Sequence, residues 1–459
     1  MENLTKSRVK ELLCGAYRCP VNGWLRVHLH GEPYQIGFQH GFLLANEIKH
    51  ALTVLSTFFD IEYKIPWNKF RQIAEELYLP KIPKEQLEEM KGISEGAGYA
   101  GVNGIDLIDI IAINGYGDTL TYYAWKQNEA DSSSSIPAPG HCSAFIATGD
   151  ATENGEIVLA HNMWWNYILG GLFNIMMTIE PEKGYKMFIE TGPGSIGGNT
   201  IDWDMNEAGL MVSETTITAA VTFNPKGTPY FVRGRKAIQY ADSIDKWLDI
   251  MLTDNNGGFA CDWLVGDIKT REILWLELAT KHHAVKRAKN GFFIGSNLAL
   301  DPKVRTETVV DYNNQSRSHA ARYCRLEPLI QANYGKLNIE LGKLILADHF
   351  DVTTGKETPS SNTVCGHIEL DHRGWPEWGA GPYYPFGTTD GKVVNSDLIS
   401  KGQQWAHWGK PCGVSFIAKE YFSKHSEYAW QQKYMKDIIA YPWTLLSADP
   451  PWSDRLKTR

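Results

Sequence analysis

Gly140-His141-Cys142-Ser143-Ala144-Phe145-Ile146-Ala147 is the stretch on which the reading of this chain turns. It follows a polar, Pro/Ser-rich run, residues 131–139 (DSSSSIPAP), and opens an apolar alternation. A Thr152-Glu153-Asn154-Gly155 turn comes next, then a second apolar run ending in His161-Asn162. A cysteine at the first position of a strand, behind a cleavable loop, has the placement of a nucleophile that self-cleavage would make N-terminal. A thiol needs a base to become a thiolate near neutral pH. A papain-type local signature is absent. The base on offer is therefore the cysteine's own α-amino group, whose reference pKa of about 7.7–8.0 suits a general base. That amine exists only once the His141–Cys142 bond is cut. The competing reading is plain: free cysteines are more often buried and inert, and composition alone favours it.

Upstream, apolar residues recur at helical spacing from Tyr34 to about Phe59, and further helices are expected near 68–77, 84–98 and 104–116. Downstream, residues 143–148, 156–161, 173–180, 186–190 and 209–215 read as strands between Gly, Asn and Asp turns. Two helices follow between Pro229 and Leu252, then four strands within 262–295, then helices near 317–332 and 337–348. The tail, 360–459, is rich in Trp, Pro and Gly. Runs of helices alternating with runs of strands predict a layered α+β fold, not a doubly wound parallel sheet. Three regions are expected: a mostly helical 1–125, a linker over 126–141, and a catalytic domain over 142–459.

Composition narrows the function. The 459 residues are 43% hydrophobic and 21% charged, which describes a globular chain with ample core. A net charge of −8 supplies no basic face for nucleic acid. No apolar run approaches the length of a membrane span. The N-terminus lacks the basic start and long apolar block of a secretion signal; the expected compartment is cytoplasmic, or secreted if a signal has been removed. Seven cysteines with no CxxC pair argue against zinc and for reduced thiols. The expectation is no metal and no cofactor.

Three segments then carry a resemblance. Cys142-Ser143-Ala144 leads to His161-Asn162-Met163-Trp164-Trp165; Met205-Asn206-Glu207-Ala208-Gly209-Leu210 is followed by Glu214-Thr215-Thr216; and Gly295-Ser296-Asn297 precedes a basic helix with Arg322 and Arg325. Upstream, Tyr34-Gln35-Ile36-Gly37-Phe38-Gln39-His40-Gly41 is similar to a propeptide opening. In this order they resemble the N-terminal nucleophile hydrolases of the phospholipase B-like group. That group is related to the acyl-CoA:6-aminopenicillanate acyltransferases and, more distantly, to the bile salt and penicillin V hydrolases. The resemblance covers about residues 25–420. It implies a four-layer αββα sandwich with a helical propeptide region, and a chain cut between His141 and Cys142. It also implies catalytic roles for Cys142 (nucleophile and amine base), Asn297, His161, Thr216 and Arg322, with Trp164, Trp165 and Thr215 lining the substrate site. Where bile salt hydrolases have Arg and Asp, this chain has His161 and Trp164, so the Asp that would hold the amine is missing.

The expected activity is hydrolysis or transfer of an acyl group from an amide through a thioester, with a small acyl amide or lipid as substrate. Two alternatives stay open: an ester-cleaving phospholipase, and an inactive scaffold whose Trp-rich tail binds a partner or glycan. A homo-oligomer is allowed, and the propeptide region can stay bound after cleavage. His40 and the Gly192–Gly198 loop are assigned no catalytic role.

Overall fold

The computed structural model describes residues 4–130, 141–197, 202–376 and 379–452. Most of the expected linker, 131–140, lies outside the described residues. Its first part does not form a linker: the helix Leu107–Ala130 runs through 126–130.

The strands, in chain order, are β1 (Tyr17–Val21), β2 (Trp24–Gly31), β3 (His141–Gly149), β4 (Gly155–Asn166), β5 (Ile175–Pro181), β6 (Met187–Thr191), β7 (Trp203–Asn206), β8 (Leu210–Thr216), β9 (Cys261–Asp267), β10 (Glu272–Leu278), β11 (His283–Ala288), β12 (Gly291–Gly295), β13 (Phe350–Asp351), β14 (Lys356–Glu357), β15 (Phe386–Asn395), β16 (Gln403–Trp408) and β17 (Thr444–Ser447). They build a nine-stranded sheet, β1-β2-β5-β6-β7-β8-β9-β10-β11, and a six-stranded sheet, β12-β3-β4-β15-β16-β17. A small ribbon pairs β13 with β14. Every pairing in the large sheets is antiparallel except β2 with β5.

The side-chain period of two explains the layering. Along β3, Ala144 and Ile146 point between the sheets, where they meet Met176, Trp203, Met211 and Leu264. Phe145 and Ala147 point outward and pack under Leu326, Ile330 and Ile345 from the helices Ser318–Ala332 and Ile339–Leu346. The outer face of the nine-stranded sheet is covered by the N-terminal helices together with Tyr230–Tyr240 and Ile244–Leu252. The order is helix, sheet, sheet, helix: the α+β four-layer sandwich is the architecture found.

Both ends of the chain are built into the sheets. The first 125 residues, mostly helical, also carry β1 and β2, which extend the large sheet, with β2 parallel to β5. Asn22 and Gly23, at φ 44° and 83°, close that hairpin with the left-handed turn its twist requires. The tail joins the small sheet. β15 sits beside β4 in the small sheet, and Trp375, Trp408 and Trp452 are buried. Those three indoles are core, which removes them from any surface for a partner or glycan.

The N-terminal helices dock by glycine contact. Pro33–Leu43 crosses Lys84–Tyr99 so closely that a Cβ on Gly37 would lie 1.8 Å from the carbonyl oxygen of Glu89, and one on Gly41 would lie 2.0 Å from that of Ile93. The facing Gly92 and Gly96 are equally tight against Tyr34 and Phe38 backbone, at 2.3 and 2.2 Å. Because backbone meets backbone, neither helix can yield locally. Gly41→Ala is expected to lower stability by about 1–3 kcal/mol. A urea unfolding midpoint that does not fall would show that this crossing tolerates the methyl group.

Candidate active site

Cys142 is the second residue of β3 and is fully buried. β12 runs antiparallel to β3 with Gly295 opposite Ala144, so the chain leaving β12 passes Cys142 at Asn297. Asn297 sits at φ 68°, a left-handed conformation that asparagine tolerates better than most residues. Its Oδ1 accepts the backbone N–H of Cys142 at 3.2 Å, and its Nδ2 donates to the carbonyl of Thr216 at 2.6 Å.

Arg322 reaches the same point from the outer helix Ser318–Ala332. Its guanidinium donates to the carbonyl oxygen of Cys142, to Ser143 Oγ at 3.1 Å, to Asn297 Oδ1 at 2.7 Å and to Ser318 Oγ at 3.2 Å. Arginine only donates, so it dictates which end of the Asn297 amide is oxygen. Burial pulls the Arg322 pKa down to about 9, with the neighbouring Cys142 working the other way. The guanidinium lies 4.3 Å from the ring centre of Trp164 and 5.3 Å from that of Trp375.

On β4, His161 stands opposite Ala144 and Met163 opposite Cys142, so both face the same side as the thiol. The reacting atoms of Cys142, His161 and Asp202 all lie within 4.8 Å of one another. Cys142 Sγ donates to Asp202 Oδ2 at 3.5 Å. Among the described residues, neither ring nitrogen of His161 has a hydrogen-bond partner of good geometry. Burial first, then the charge of Lys392, pushes its pKa well below the usual histidine value, against a weaker effect of the Glu214 backbone. His161 is therefore neutral. Lys392, its cross-strand neighbour on β15, is itself held by Glu190 and Asp390, all fully buried.

Asp202 is a residue of the candidate site that the sequence reading missed. It precedes β7, just upstream of the Asn206–Leu210 hairpin, and places a carboxylate beside the Cys142 sulfur. Burial, followed by Glu214, pushes its pKa well above the ordinary carboxyl range. Burial likewise raises Glu214 to about 7, against hydrogen bonds from Asp202, Cys261 and Thr216. Burial first and these two carboxyls next push the Cys142 thiol well above its usual pKa.

The remaining expected residues fall in more modest places. The Thr216 hydroxyl is committed to Glu214 at 3.3 Å, and it is the Thr216 carbonyl that meets Asn297. The Thr215 hydroxyl donates to Asp262 at 3.3 Å. Trp164 stands one residue out of phase with Met163, so it lies on the face away from the thiol, where it carries Arg322. Trp165 returns to the thiol's face and packs on Phe173, with ring centres 5.8 Å apart. Nothing is described of the His141 side chain.

Phe173 in turn lines a small cavity of about 20 Å³ with Ala51, Leu55, Ile113, Tyr116, Gly192 and Ser195. Tyr116, which lines this cavity, has its pKa pushed far up by burial and then by Asp202, and among the described residues its hydroxyl has no hydrogen-bond partner. The Gly192–Gly197 loop is fastened by the N-terminal region. Gly194 N–H donates to His40 Nε2 at 2.9 Å, Ile196 N–H donates to Asn114 Oδ1 at 2.9 Å, and Asn114 Nδ2 donates to the Gly194 carbonyl at 2.9 Å. His40, given no role from the sequence, is a neutral acceptor there, its pKa lowered to about 3 by burial and by Arg235.

Among the described residues, no helix is long and apolar enough to cross a membrane. Two variants of the conjugated bile acid hydrolase from Clostridium perfringens share 11% and 10% sequence identity with this chain, each over 58% of it and 89% of their own length, with TM-scores of 0.31 and 0.33. An uncharacterized protein of Archaeoglobus fulgidus is 25% identical over 361 residues, or 71% of this chain. The chain spans 58% of that relative's length. The family model described as phospholipase B matches residues 41–277, more than half of the chain and a range that holds Cys142, His161 and Asp202. The chain belongs to the phospholipase B family.

Proposed function

We propose that this chain is a self-activating cysteine hydrolase or acyltransferase whose nucleophile is Cys142 and whose substrate is a small acyl amide. The observation that carries the reading is the set of atoms around one residue. The Cys142 nitrogen lies 3.2 Å from Asn297 Oδ1, and the Cys142 sulfur lies 3.5 Å from Asp202. An amine formed at that nitrogen would keep its acceptor without any rearrangement.

Self-cleavage comes first. The Cys142 sulfur attacks the carbonyl carbon of His141; the S–C bond forms, the C–N bond to Cys142 breaks, and the departing nitrogen takes up a proton. Water then hydrolyses the thioester, which frees the thiol and leaves His141 with a carboxylate. No α-amine exists before this step, so another group must accept the thiol proton. Neutral His161, its ring unpartnered beside the sulfur, suits that task. In turnover the new amine takes over as base, the thiolate attacks the substrate carbonyl, and a thioester acyl-enzyme passes its acyl group to water or to an acceptor amine. Asn297 retains one N–H of its amide for the oxyanion, a donor of the kind worth about 2.7–4 kcal/mol. Arg322 and Trp164 act as positioning residues.

The cavity beside Phe173 and Tyr116, about 20 Å³, holds about one water molecule, against the ~300–1,000 Å³ of ordinary ligand sites, so it is too small for an acyl group as it stands. An ester preference, as the family name carries, uses the same nucleophile. A screen of N-acyl amino acids, acyl amides and lysophospholipids distinguishes the two.

Intact mass and N-terminal sequencing test the reading directly. Purified protein is expected to yield a fragment beginning Cys-Ser-Ala-Phe. Cys142→Ala is expected to stay in one piece and to lose more than about a thousandfold in turnover, while Cys324→Ser, on the exposed surface, matches wild type. A wild-type chain that stays whole and also resists thiol-reactive acyl probes at Cys142 would sink the proposal.

The carboxyl pair makes a separate prediction about stability. Glu214 holds its proton to about pH 7 when folded and releases it near 4.5 when unfolded. Between those values the folded state binds more protons, so stability falls as pH rises through the window. Glu214→Gln removes this slope and is expected to gain on the order of 1–3 kcal/mol over wild type at pH 8, with little difference at pH 4. Urea titrations at the two pH values read it; equal gains at both would show that Glu214 titrates normally.

A further inference from the structure

Away from Cys142, three irregular segments converge on a second cluster of thiols and imidazoles. His349 follows the helix Ile339–Leu346, Cys365 and His367 flank Gly366 in a later loop, and Cys412 lies in the turn after β16. One ligand atom from each lies within 4.8 Å of every other. His349 Nε2 and His367 Nε2 are 3.1 Å apart, and the sulfurs of Cys365 and Cys412 are each 3.6 Å from His367 Nε2.

The three spacings that meet at His367 Nε2 match edges of a tetrahedral site. Zinc holds thiolate sulfur at about 2.3 Å and imidazole nitrogen at about 2.0–2.1 Å, which sets nitrogen–nitrogen edges at about 3.3 Å and nitrogen–sulfur edges at about 3.5 Å. The tautomer also fits. His367 Nδ1 lies 2.9 Å from Glu369 Oε1, and that carboxylate is anchored by Lys410 at 2.9 Å and by the Tyr167 hydroxyl at 2.7 Å. A carboxylate can only accept, so the proton sits on Nδ1 and the Nε2 lone pair faces the cluster. Carboxylate, histidine and metal in line is the usual outer-shell arrangement of zinc sites. Two imidazole nitrogens and two sulfurs that face one point at these distances are a set of donor atoms that one cation satisfies together.

We propose that His349, Cys365, His367 and Cys412 form a closed, structural site for one zinc ion. Two sulfurs and two nitrogens with no open position favour zinc over the harder divalent ions. The expectation of no metal came from the missing CxxC pair, but here the ligands come from distant segments and need no local spacing. The site has work to do. Gly366, between two ligands, lies against Trp164 so closely that a Cβ would be 2.3 Å from the indole, and Trp164 is the platform under Arg322. The ion would thus clip the tail onto the layer that positions Cys142, independently of whether Cys142 is a nucleophile.

The test is metal content of the full-length protein. Produced with zinc in the medium and dialysed, it is expected to retain one zinc per chain by plasma mass spectrometry, as is Cys324→Ser. Cys365→Ser and Cys412→Ser are expected to retain none, and Glu369→Gln to bind about 10–100-fold more weakly in chelator competition. Should the serine variants fail to fold, cobalt refilling of the wild type decides: tetrahedral thiolate coordination gives strong visible absorption. Wild-type protein that carries no zinc and takes up no cobalt overturns the proposal. So does an intact mass two hydrogens low with a Cys365–Cys412 disulfide peptide.

Discussion

A single buried guanidinium ties this molecule's chemistry to its fold. Arg322 has no exposure, and its acceptors are neutral oxygens: the Cys142 carbonyl, the Ser143 and Ser318 hydroxyls and the Asn297 amide. Burying a charge this way is costly unless every donor is used. The two indole faces of Trp164 and Trp375 return part of that cost as cation–π attraction. The result joins the outer helix layer, the first residues of β3 and the turn after β12. Cys142 is immobile because its carbonyl and its nitrogen are both held by one donor–acceptor chain through Asn297.

The N-terminal region is bound into the same constraint from the other side. β1 and β2 lengthen the large sheet, and His40 and Asn114 hold the loop that leads toward Asp202. The glycine-lined crossing of the first helices leaves no slack to absorb their removal. A cut before Cys142 would therefore divide the chain without dividing the sandwich, and the upstream piece would remain as a structural subunit. Its helices also roof the small cavity beside Tyr116 and Phe173.

What the sequence revealed follows from local physics. The run 143–148 and the β8 run are short apolar stretches buried on both faces and bounded by turn residues, as is the hairpin between Asn206 and Leu210, and such punctuation is readable in one dimension. Asn297 and Arg322 were legible through their order after Cys142. Asp202 was not, because an acidic residue before a short strand reads as a turn until the fold sets Glu214 and Cys142 against it. β15 hid for a related reason: Asp390 and Lys392 make it look polar, yet each neutralises the other in the core with Glu190. Trp164 differs from Met163 by one residue of phase, which in a strand is the difference between the thiol's face and the opposite one. The His349–Cys412 cluster left no local trace at all, since its members lie in three separate segments.

The charge arrangement around Cys142 gives the cleavage step a second meaning. In the uncut chain the thiol is buried beside two carboxyls that raise its pKa, while Arg322 faces the carbonyl side of the residue. That is a poor setting for a thiolate and a good one for keeping a nucleophile silent. On the proposed reading, scission would convert a neutral amide nitrogen into an amine at the same position, within reach of Asn297. Its protonated form would favour the ionised forms of Asp202, Glu214 and the thiol together. The amine would then act as more than a base, because its charge would oppose the two carboxyls that raise the pKa of the thiol.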